Sequence, residues 1–210
     1  MRIAIIGAGN VGTALGQAWL RSGEDVVFGV PNPADAKYRS LPQERLGAPA
    51  EAARNADIVL LATPWPATEA AVKGLGDLSG KIVIDCTNPL RMGRDGLELA
   101  LGPDTSGGEQ VAAWSKGATV FKTLNQTGAE NMAGASLYPI RPVMFVAGDD
   151  EAKKPVILSL IAKLGFEAVD AGPLRNARLL EALGMLWIDQ ALNRGRGRSF
   201  AFALVDRPPH

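Results

Sequence analysis

Two side chains that commonly carry out chemistry are almost missing from this sequence. Its 210 residues include one cysteine, Cys86, and one histidine, His210, which is the last residue. A single cysteine excludes an internal disulfide and any site built from several cysteines. A single histidine in a terminal position, where order is least expected, argues against a Ser-His-Asp triad, a histidine-ligated metal and a histidine general acid. The sequence therefore predicts no metal site.

Charge of one sign and long apolar runs are also missing. Lys and Arg together number 22, as do Asp and Glu, so no overall field favours nucleic acid or an anionic membrane. The basic run 194–198 is interpreted as a solvated turn, with an anion-binding loop as the alternative. No apolar run reaches the roughly 20 residues of a membrane helix, and the stretch before Gly7 is too short for a signal peptide. We expect a cytoplasmic protein with a small-molecule partner and neither a nucleic-acid nor a membrane partner.

Short apolar runs alternate with segments of helical spacing. This alternation predicts an α/β protein with a Rossmann-type, doubly wound, mostly parallel sheet and a short C-terminal helical segment. The predicted strands are 2–6, 25–29, 57–62, 81–84, 118–121, 143–147, 167–169 and, as an edge strand, 199–205. The predicted helices are 10–22, 66–74, 150–164 and 174–193, and the proline-rich stretch 31–49 is expected to be loop with one helical turn. We expect residues 1–172 to form a dinucleotide-binding domain and residues 173–210 a small C-terminal part.

The predicted helix 174–193 is apolar on nearly all of its sides. A helix of this kind has to be covered on more than one face. In so short a chain a second subunit is a plausible source of that cover, so the sequence predicts a homodimer. We expect the C-terminal part to serve in dimerisation and to cover the site of a second substrate.

A glycine-rich loop follows the first predicted strand and opens the first predicted helix. It has the pattern GxGxxG, in which Gly7 permits a tight turn, Gly9 lets the backbone approach a pyrophosphate and Gly12 allows close packing of helix on strand. The first helix turn, with Asn10 and Val11, then presents free N–H groups and the positive end of the helix dipole to the phosphates. The sequence predicts that these residues bind a dinucleotide.

The end of the second predicted strand bears on the choice of dinucleotide. NAD-preferring folds usually place Asp or Glu there to bond the ribose 2′-hydroxyl, whereas this sequence has Val30, Pro31 and Asn32 and no acid before Asp35. We expect Val30 and Asn32 to lie beside this ribose. Lys37, or Arg39 just after it, can supply charge for a 2′-phosphate, although both are equally well interpreted as solvated loop residues. NADP(H) is therefore favoured, with NAD(H) as the alternative.

Three further segments follow predicted strands and should ring one crevice, because ligands bind beyond the carboxyl ends of such strands. They are Thr63-Pro64-Trp65, Thr87-Asn88-Pro89 and 122–125. Trp65 is expected either to stack on a ligand or to pack under the loop. Lys122 and Asn125 are the candidate catalytic residues: Lys122 either bonds a carbonyl or an anionic ring of the second substrate, or forms a structural ion pair.

The sequence resembles the coenzyme F420-dependent NADP oxidoreductase family, whose fold also occurs in the ferric-reductase domains of some membrane metalloreductases. The resemblance lies in the glycine loop and, more specifically, in Asp85-Cys86-Thr87-Asn88-Pro89-Leu90 and in 121–132, which reads FKTLNQTGAENM. It implies hydride transfer between NADP(H) and a second redox partner, in the best-known members the deazaflavin F420, within a small homodimer. It also implies that Gly7, Gly9, Asn10, Val11 and Gly12 bind the pyrophosphate, that Thr63, Pro64 and Trp65 border the nicotinamide ribose, and that Asn88 and Pro89 lie nearby.

The shortage of acids and bases is consistent with that chemistry. Hydride transfer between two planar rings needs mainly stacking, distance and exclusion of water. We therefore predict an NAD(P)H-dependent oxidoreductase that uses F420 or a flavin-like ring as the second substrate. Two alternatives stay open: a non-catalytic NAD(P)-binding redox sensor, and a reductase of a small imine or carbonyl.

Overall fold

The computed structural model describes residues 1–94 and 96–207, so that His210 lies outside the described residues. The strands are β1 (Arg2–Ile6), β2 (Asp25–Gly29), β3 (Leu46–Gly47), β4 (Ile58–Leu61), β5 (Ile82–Asp85), β6 (Leu90–Gly93), β7 (Gly96–Leu99), β8 (Thr119–Lys122), β9 (Val143–Gly148) and β10 (Glu167–Asp170). The helices are α1 (Asn10–Arg21), α2 (Pro49–Arg54), α3 (Trp65–Lys73), α4 (Gly107–Trp114), α5 (Ala129–Met132), α6 (Lys154–Lys163) and α7 (Ala177–Leu192). The alternation confirms the predicted α/β class.

The main sheet has eight strands in the order β10-β9-β8-β5-β4-β1-β2-β3. All neighbouring strands are parallel except β8 and β9, which confirms a Rossmann-type, mostly parallel sheet. β1 pairs with β2 on one side and with β4 on the other, so the winding of the chain reverses at β1. Sheets of this type bind ligands beside the carboxyl ends of the strands at that point.

The central strands supply side chains to two cores, one on each face of the sheet. In β1, Ile3 and Ile5 belong to one core and Ala4 to the other, and none of the three is exposed. A strand buried on both faces is apolar throughout rather than alternating, which is why this one is readily predicted. On the first face the indole N–H of Trp19 donates to the Leu160 carbonyl at 3.1 Å, which joins α1 to α6.

Several predicted segments need correction. The proline-rich stretch 31–49, predicted to be loop with one helical turn, holds two 3-10 turns, Ala36–Tyr38 and Gln43–Arg45, and the short strand β3, and α2 begins at its last residue. The helix predicted over 150–164 begins only at Lys154, because the Asp150 carboxylate accepts the amides of Ala152 and Lys153 in a turn. The helix predicted over 174–193 is a 3-10 turn followed by α7.

The predicted edge strand 199–205 is wrong, since this segment is irregular. Its aromatic residues pack on α7 instead of extending the sheet: the Phe200 ring stacks on Trp187 at 5.2 Å between ring centroids. The indole N–H of Trp187 also donates to the Phe200 carbonyl at 2.9 Å. The amide of Asn131, at the end of the α5 turn, donates to the same carbonyl. The segment therefore connects the C-terminal half of α7 to α5 of the sheet domain.

The exposed and buried faces of α7 differ from those of an ordinary amphipathic helix. Its buried residues include Glu181 and Gly184, whereas Leu179, Leu186 and Leu192 are 67%, 49% and 57% exposed. None of the described helices has the length and apolar character that a membrane span requires.

Candidate functional site

A cavity of about 960 Å³ opens at the carboxyl ends of β1, β4 and β5. The loops after these strands, part of the segment between β2 and α2, the first turn of α1 and one face of α3 form its wall. Most residues predicted to bind a dinucleotide lie in this wall, namely Gly7, Gly9, Asn10, Val11, Lys37, Thr63, Pro64, Trp65 and Asn88. The other predicted residues lie outside the wall, namely Gly12, Val30, Asn32, Pro89, Lys122 and Asn125.

Packing requires two of the three glycines in the GxGxxG segment, Gly7 in the loop after β1 and Gly12 in the first turn of α1. Gly7 has a φ of +99°, and a Cβ there would lie 2.7 Å from the Ala62 carbonyl oxygen. At Gly12 a Cβ would lie 1.9 Å from the Gly7 carbonyl oxygen. Gly12 therefore acts behind the wall, where its missing side chain lets α1 begin directly against the turn.

Gly9 is the exception, because the protein itself does not require a glycine there. Its φ is −79°, and no atom lies within 4 Å of the position of a Cβ. Gly9 precedes α1 without a side-chain cap, and the first turn of α1 contains no acid. The first amides of a helix have no carbonyl partner within it, so the loop leaves room and donors for an anion in the cavity.

Val30 and Asn32, two of the predicted residues after β2, hold the loop, whereas Pro31 between them lines the cavity. Val30 is fully buried in the core, and its N–H donates to the Gly47 carbonyl at 2.9 Å. Asn32 is exposed, and its side-chain oxygen accepts the Ala34 amide in a tight turn. Val30 and Asn32, which were expected beside the ribose, therefore serve to hold this loop and do not line the cavity.

Lys37 is the lysine in the wall, whereas Arg39 is exposed outside it. The Lys37 Nζ lies 3.1 Å from Asp35 Oδ2 and 4.9 Å from the centre of the Tyr38 ring. The hydrogen bond that the Lys37 side chain donates to Asp35 raises the pKa of Lys37. The hydrogen bonds that Asp35 accepts from the Lys37 amide, and after it from the Lys37 side chain, lower the pKa of Asp35. A phosphate near Lys37 would therefore compete with this carboxylate.

Part of the wall was not predicted. One face of α3 lines the cavity with small side chains, namely Ala67, Ala70, Ala71 and Gly74. Their spacing of three, one and three residues places them along one face of a helix. That spacing is visible in the sequence, and it indicates a flat wall that a planar group can approach closely.

Trp65 lies between the cavity and a neighbouring helix. It lines the cavity, and its ring lies 5.5 Å from that of Trp114 at an angle of 31°. Beside it the hydroxyls of Thr63 and Thr68 lie 2.9 Å apart. The indole is therefore held in place by α4 while one part of it faces the cavity.

Cys86 also lines the cavity. Its thiol donates to the Leu61 carbonyl at 2.9 Å. Burial, and after it the charge of Asp85, raises the pKa of the Cys86 thiol to about 12. The residue is therefore a neutral wall residue and not a nucleophile.

Lys122 lies behind the wall at the end of β8 and has no exposed area. Its Nζ donates to Asp85 Oδ2 at 2.9 Å and to the Thr87 carbonyl at 2.6 Å, and it lies 2.9 Å from Glu181 Oε1. Burial alone would lower the pKa of Lys122, but the Asp85 and Glu181 carboxylates raise it above its usual value. The lysine is therefore charged, and its three N–H groups have three protein acceptors.

Asn125 is joined to the wall through Asn88. Its side-chain amide donates to Asn88 Oδ1 at 3.0 Å and to the Leu180 carbonyl at 2.9 Å, and the Asn88 amide donates back to the Asn125 carbonyl at 2.9 Å. Leu124, just before it, has a φ of +60°, which a leucine adopts only under strain. The strained turn directs Asn125 toward the cavity wall and α7.

Glu181 was missed by the sequence analysis although it completes this region. Its two carboxylate oxygens accept the amides of Gly107 and Gly108 at 3.0 Å, at the start of α4. The available signal was that Glu181 is the one charged residue in the otherwise apolar stretch from Leu179 to Ile188. Within 1–94 and 96–207, no cluster of His, Cys, Asp and Glu has the makings of a metal site.

Comparison with known proteins identifies the group to which the chain belongs. Residues 2–89 match the family described as NADP oxidoreductase, coenzyme F420-dependent. The F420-dependent NADP reductase of Methanocaldococcus jannaschii is 31% identical over 66% of this chain, an alignment that spans 63% of that enzyme.

Solved structures extend the likeness to almost the whole chain. A protein of Arthrobacter sp. FB24, assigned as an F420-dependent NADP reductase, superposes with a TM-score of 0.89 at 30% identity, covering 98% of this chain and all of that one. A reductive aminase from Aspergillus terreus in complex with NADPH and ethyl-5-oxohexanoate has a TM-score of 0.68 at 18% identity, covering 92% of this chain and 62% of that one. This second likeness concerns the fold alone. Taken with the glycine loop and the cavity beside it, the full-length likeness shows that the chain belongs to the coenzyme F420-dependent NADP oxidoreductase family.

Proposed function

We propose that this protein transfers a hydride between NADP(H) and a second planar ring, the deazaflavin F420 or a flavin. The observation that carries the proposal is the combination of an open glycine loop with a wall poor in proton donors. The titratable residues of the wall are Lys37, Tyr38 and Cys86. Lys37 and Tyr38 belong to the loop after β2, and the Cys86 thiol has a pKa of about 12. Ring-to-ring hydride transfer is the chemistry that such a wall suits best.

The residues present fit a dinucleotide. The space at Gly9, where a side chain would fill the cavity, and the uncapped start of α1 suit a pyrophosphate. We assign the pyrophosphate to Gly7, Gly9, Asn10 and Val11, with Gly12 supporting the turn from behind. Lys37 favours NADP(H) over NAD(H), and Asp35 moderates that preference by pairing with it.

The other end of the cavity would hold the nicotinamide and its ribose. When bound, NADPH supplies the hydride. Thr63, Pro64 and Trp65 border that position on one side and Asn88 on the other. Their task is to hold the ring at a fixed distance from the second substrate and to exclude water. The Asn88–Asn125 pair keeps this border closed on the side of α7.

We also propose that residues 173–210 form the dimer contact and cover the second substrate. The exposed residues Leu179 and Leu186 lie seven positions apart, on one face of α7. Two copies of this face packed together would remove the apolar surface from water. Because its dinucleotide substrate is a cytoplasmic metabolite, we propose the cytoplasm as the location.

The deciding experiment mixes the protein with NADPH and, in separate reactions, F420, FMN, and a panel of small imines and ketones. Absorbance of the nicotinamide and of the acceptor ring is followed together. Oxidation of NADPH with F420 or FMN, and with none of the imines or ketones, is the expected result. Turnover confined to an imine or ketone would overturn the proposal in favour of a carbonyl or imine reductase. Tight NADPH binding without turnover of any acceptor would favour a redox sensor.

A further inference from the structure

Three charged side chains meet behind the cavity wall in a place that solvent does not reach. Lys122 and Asp85 have no exposed side-chain area, and Glu181 has 3%. The Lys122 Nζ lies 2.9 Å from a carboxylate oxygen of each acid. A buried ion pair gives little net stability, whereas the loss of one partner leaves an uncompensated charge and is costly. Such a cluster fixes one arrangement of its neighbours.

The cluster joins four elements that are distant in the sequence. Asp85 ends β5, Lys122 ends β8, and Glu181 comes from α7 and accepts the first two amides of α4. The approach of the helices is close: a Cβ at Gly108 would lie 2.9 Å from the Ala177 Cβ, and one at Gly107 would lie 3.1 Å from both Glu181 Oε1 and the Trp65 ring. The orientation of α7 on the sheet therefore depends on Glu181.

The same cluster holds the cavity wall from behind. Lys122 binds the Thr87 carbonyl, and Asp85 Oδ1 accepts both the Thr87 amide at 2.9 Å and the Thr87 hydroxyl at 2.7 Å. Asn88, the next residue, is bound by Asn125, which in turn is bound to the Leu180 carbonyl on α7. The glycine loop, by contrast, receives none of these bonds.

We propose that Glu181, acting through Lys122, is a positioning residue that fixes the Thr87–Asn88 wall and thereby sets the efficiency of hydride transfer without setting the affinity for the dinucleotide pyrophosphate. Lys122 then has a supporting role and does not touch the substrate. This inference rests on the proposed function for its kinetic consequence. Its structural consequence, the dependence of the 87–88 wall on Glu181, does not.

The test uses Glu181→Gln, which keeps the shape of the side chain and removes its charge. The matched control is Glu109→Gln, since Glu109 on α4 pairs with Arg178 on α7 at 2.7 Å and so joins the same two helices without bonding Thr87 or Asn88. We expect E181Q to lower kcat with F420 by roughly tenfold to a hundredfold. The Kd of NADP⁺ should stay within about twofold of the parent value in both variants. The kcat of E109Q should also stay within about twofold of the parent value.

Amide hydrogen exchange gives a readout that does not depend on turnover. In E181Q we expect faster exchange in peptides covering 86–89 and 123–126, with no change in peptides covering 7–12. Unchanged exchange at 86–89 would overturn the inference whatever the substrate proves to be. An equal loss of NADP⁺ affinity and of kcat would also overturn it.

A second variant covers the case in which E181Q fails to fold. A Cβ at Gly184 would lie 2.7 Å from both Asn88 Oδ1 and the Asn125 carbonyl, so Gly184→Ala displaces the same wall from α7 without changing any charge. For G184A we likewise expect a lower kcat and an unchanged Kd of NADP⁺. Failure of the parent protein to turn over either F420 or FMN, with faster exchange at 86–89 in E181Q, would refute the proposed function and leave the positioning role of Glu181 supported.

Discussion

Replacing Gly9 with alanine separates the binding of a dinucleotide from the stability of the fold. A Cβ at this position would meet no protein atom within 4 Å, and the φ of −79° suits any residue. The added methyl group enters only the open space at the cavity wall. If that space receives a pyrophosphate, G9A must weaken binding while leaving the protein folded.

The expected changes in stability and in binding can be worked out separately. In the stability of G9A, two small effects oppose each other. Alanine is a poorer residue than glycine just before a helix, by up to about 1 kcal/mol. The smaller entropy of the unfolded chain offsets about 0.4–1 kcal/mol of this loss. We therefore expect a change in Tm below about 4 °C for a chain of this size. A methyl group forced against a tightly held ligand costs about 1–3 kcal/mol, which raises Kd roughly 5- to 150-fold.

Calorimetric titration with NADP⁺ and a thermal melt are sufficient for the measurement. Gly102→Ala is the control, because Gly102 also has open space around a Cβ and lies outside the cavity wall. It should change neither Kd nor Tm appreciably. If G9A bound NADP⁺ as tightly as the parent protein, the pyrophosphate would not lie on this loop, and the assignment would have to be abandoned.

Three other predictions rest on single groups. Asp35→Asn releases Lys37 from its ion pair, so the ratio of the Kd values for NADH and NADPH should rise by a few-fold; an unchanged ratio would exclude Lys37 from the 2′-phosphate site. The Cys86 thiol, with its pKa of about 12, should resist iodoacetamide in the folded protein at pH values where an ordinary thiol reacts, as measured by mass spectrometry. The hydrogen bond from Arg178 lowers the pKa of Glu109. The pair therefore stabilises the folded protein fully at pH values above 4.5, the ordinary pKa of a glutamate, and this stabilisation is lost as the pH falls through the lowered pKa of Glu109. The stability difference between the parent and E109Q in urea unfolding, below about 1 kcal/mol at neutral pH, should disappear in acid.

The central half of the sheet was predictable because its signals are local. β1, β4 and β5 are apolar except for Arg2 at the start of β1 and Asp85 at the end of β5, and each strand is followed by polar or small residues. The glycine loop was predictable for the same reason, since a turn directly between strand and helix admits few residue types. These signals place the cavity as well, because parallel strands bring their carboxyl ends to one edge.

The helix α4 shows a signal that hydrophobic periodicity does not register. Its start contains two glycines, which lower helix propensity, yet Ser106 is an N-cap residue with a glutamate three positions later: the Ser106 hydroxyl accepts the Glu109 amide at 3.1 Å and donates to the Glu109 carboxylate at 2.7 Å. The spacing of these two residues was visible in the sequence. The glycines are explained only by the neighbours, since a side chain at Gly107 would meet Trp65 and Glu181.

The helix α7 shows why the rest could not be predicted. Periodicity assigns the leucines of a helix to its core, but α7 buries Glu181 and Gly184 and exposes Leu179 and Leu186. The buried face is chosen by long-range partners: Glu181 needs the charge of Lys122, and Gly184 must be small because the Asn88 side chain lies against it. No local pattern contains this information, since the partners come from the ends of different strands. Leu179 and Leu186 stay exposed on one face of α7, and this exposed apolar face is the physical support for the proposal that a second copy packs against it.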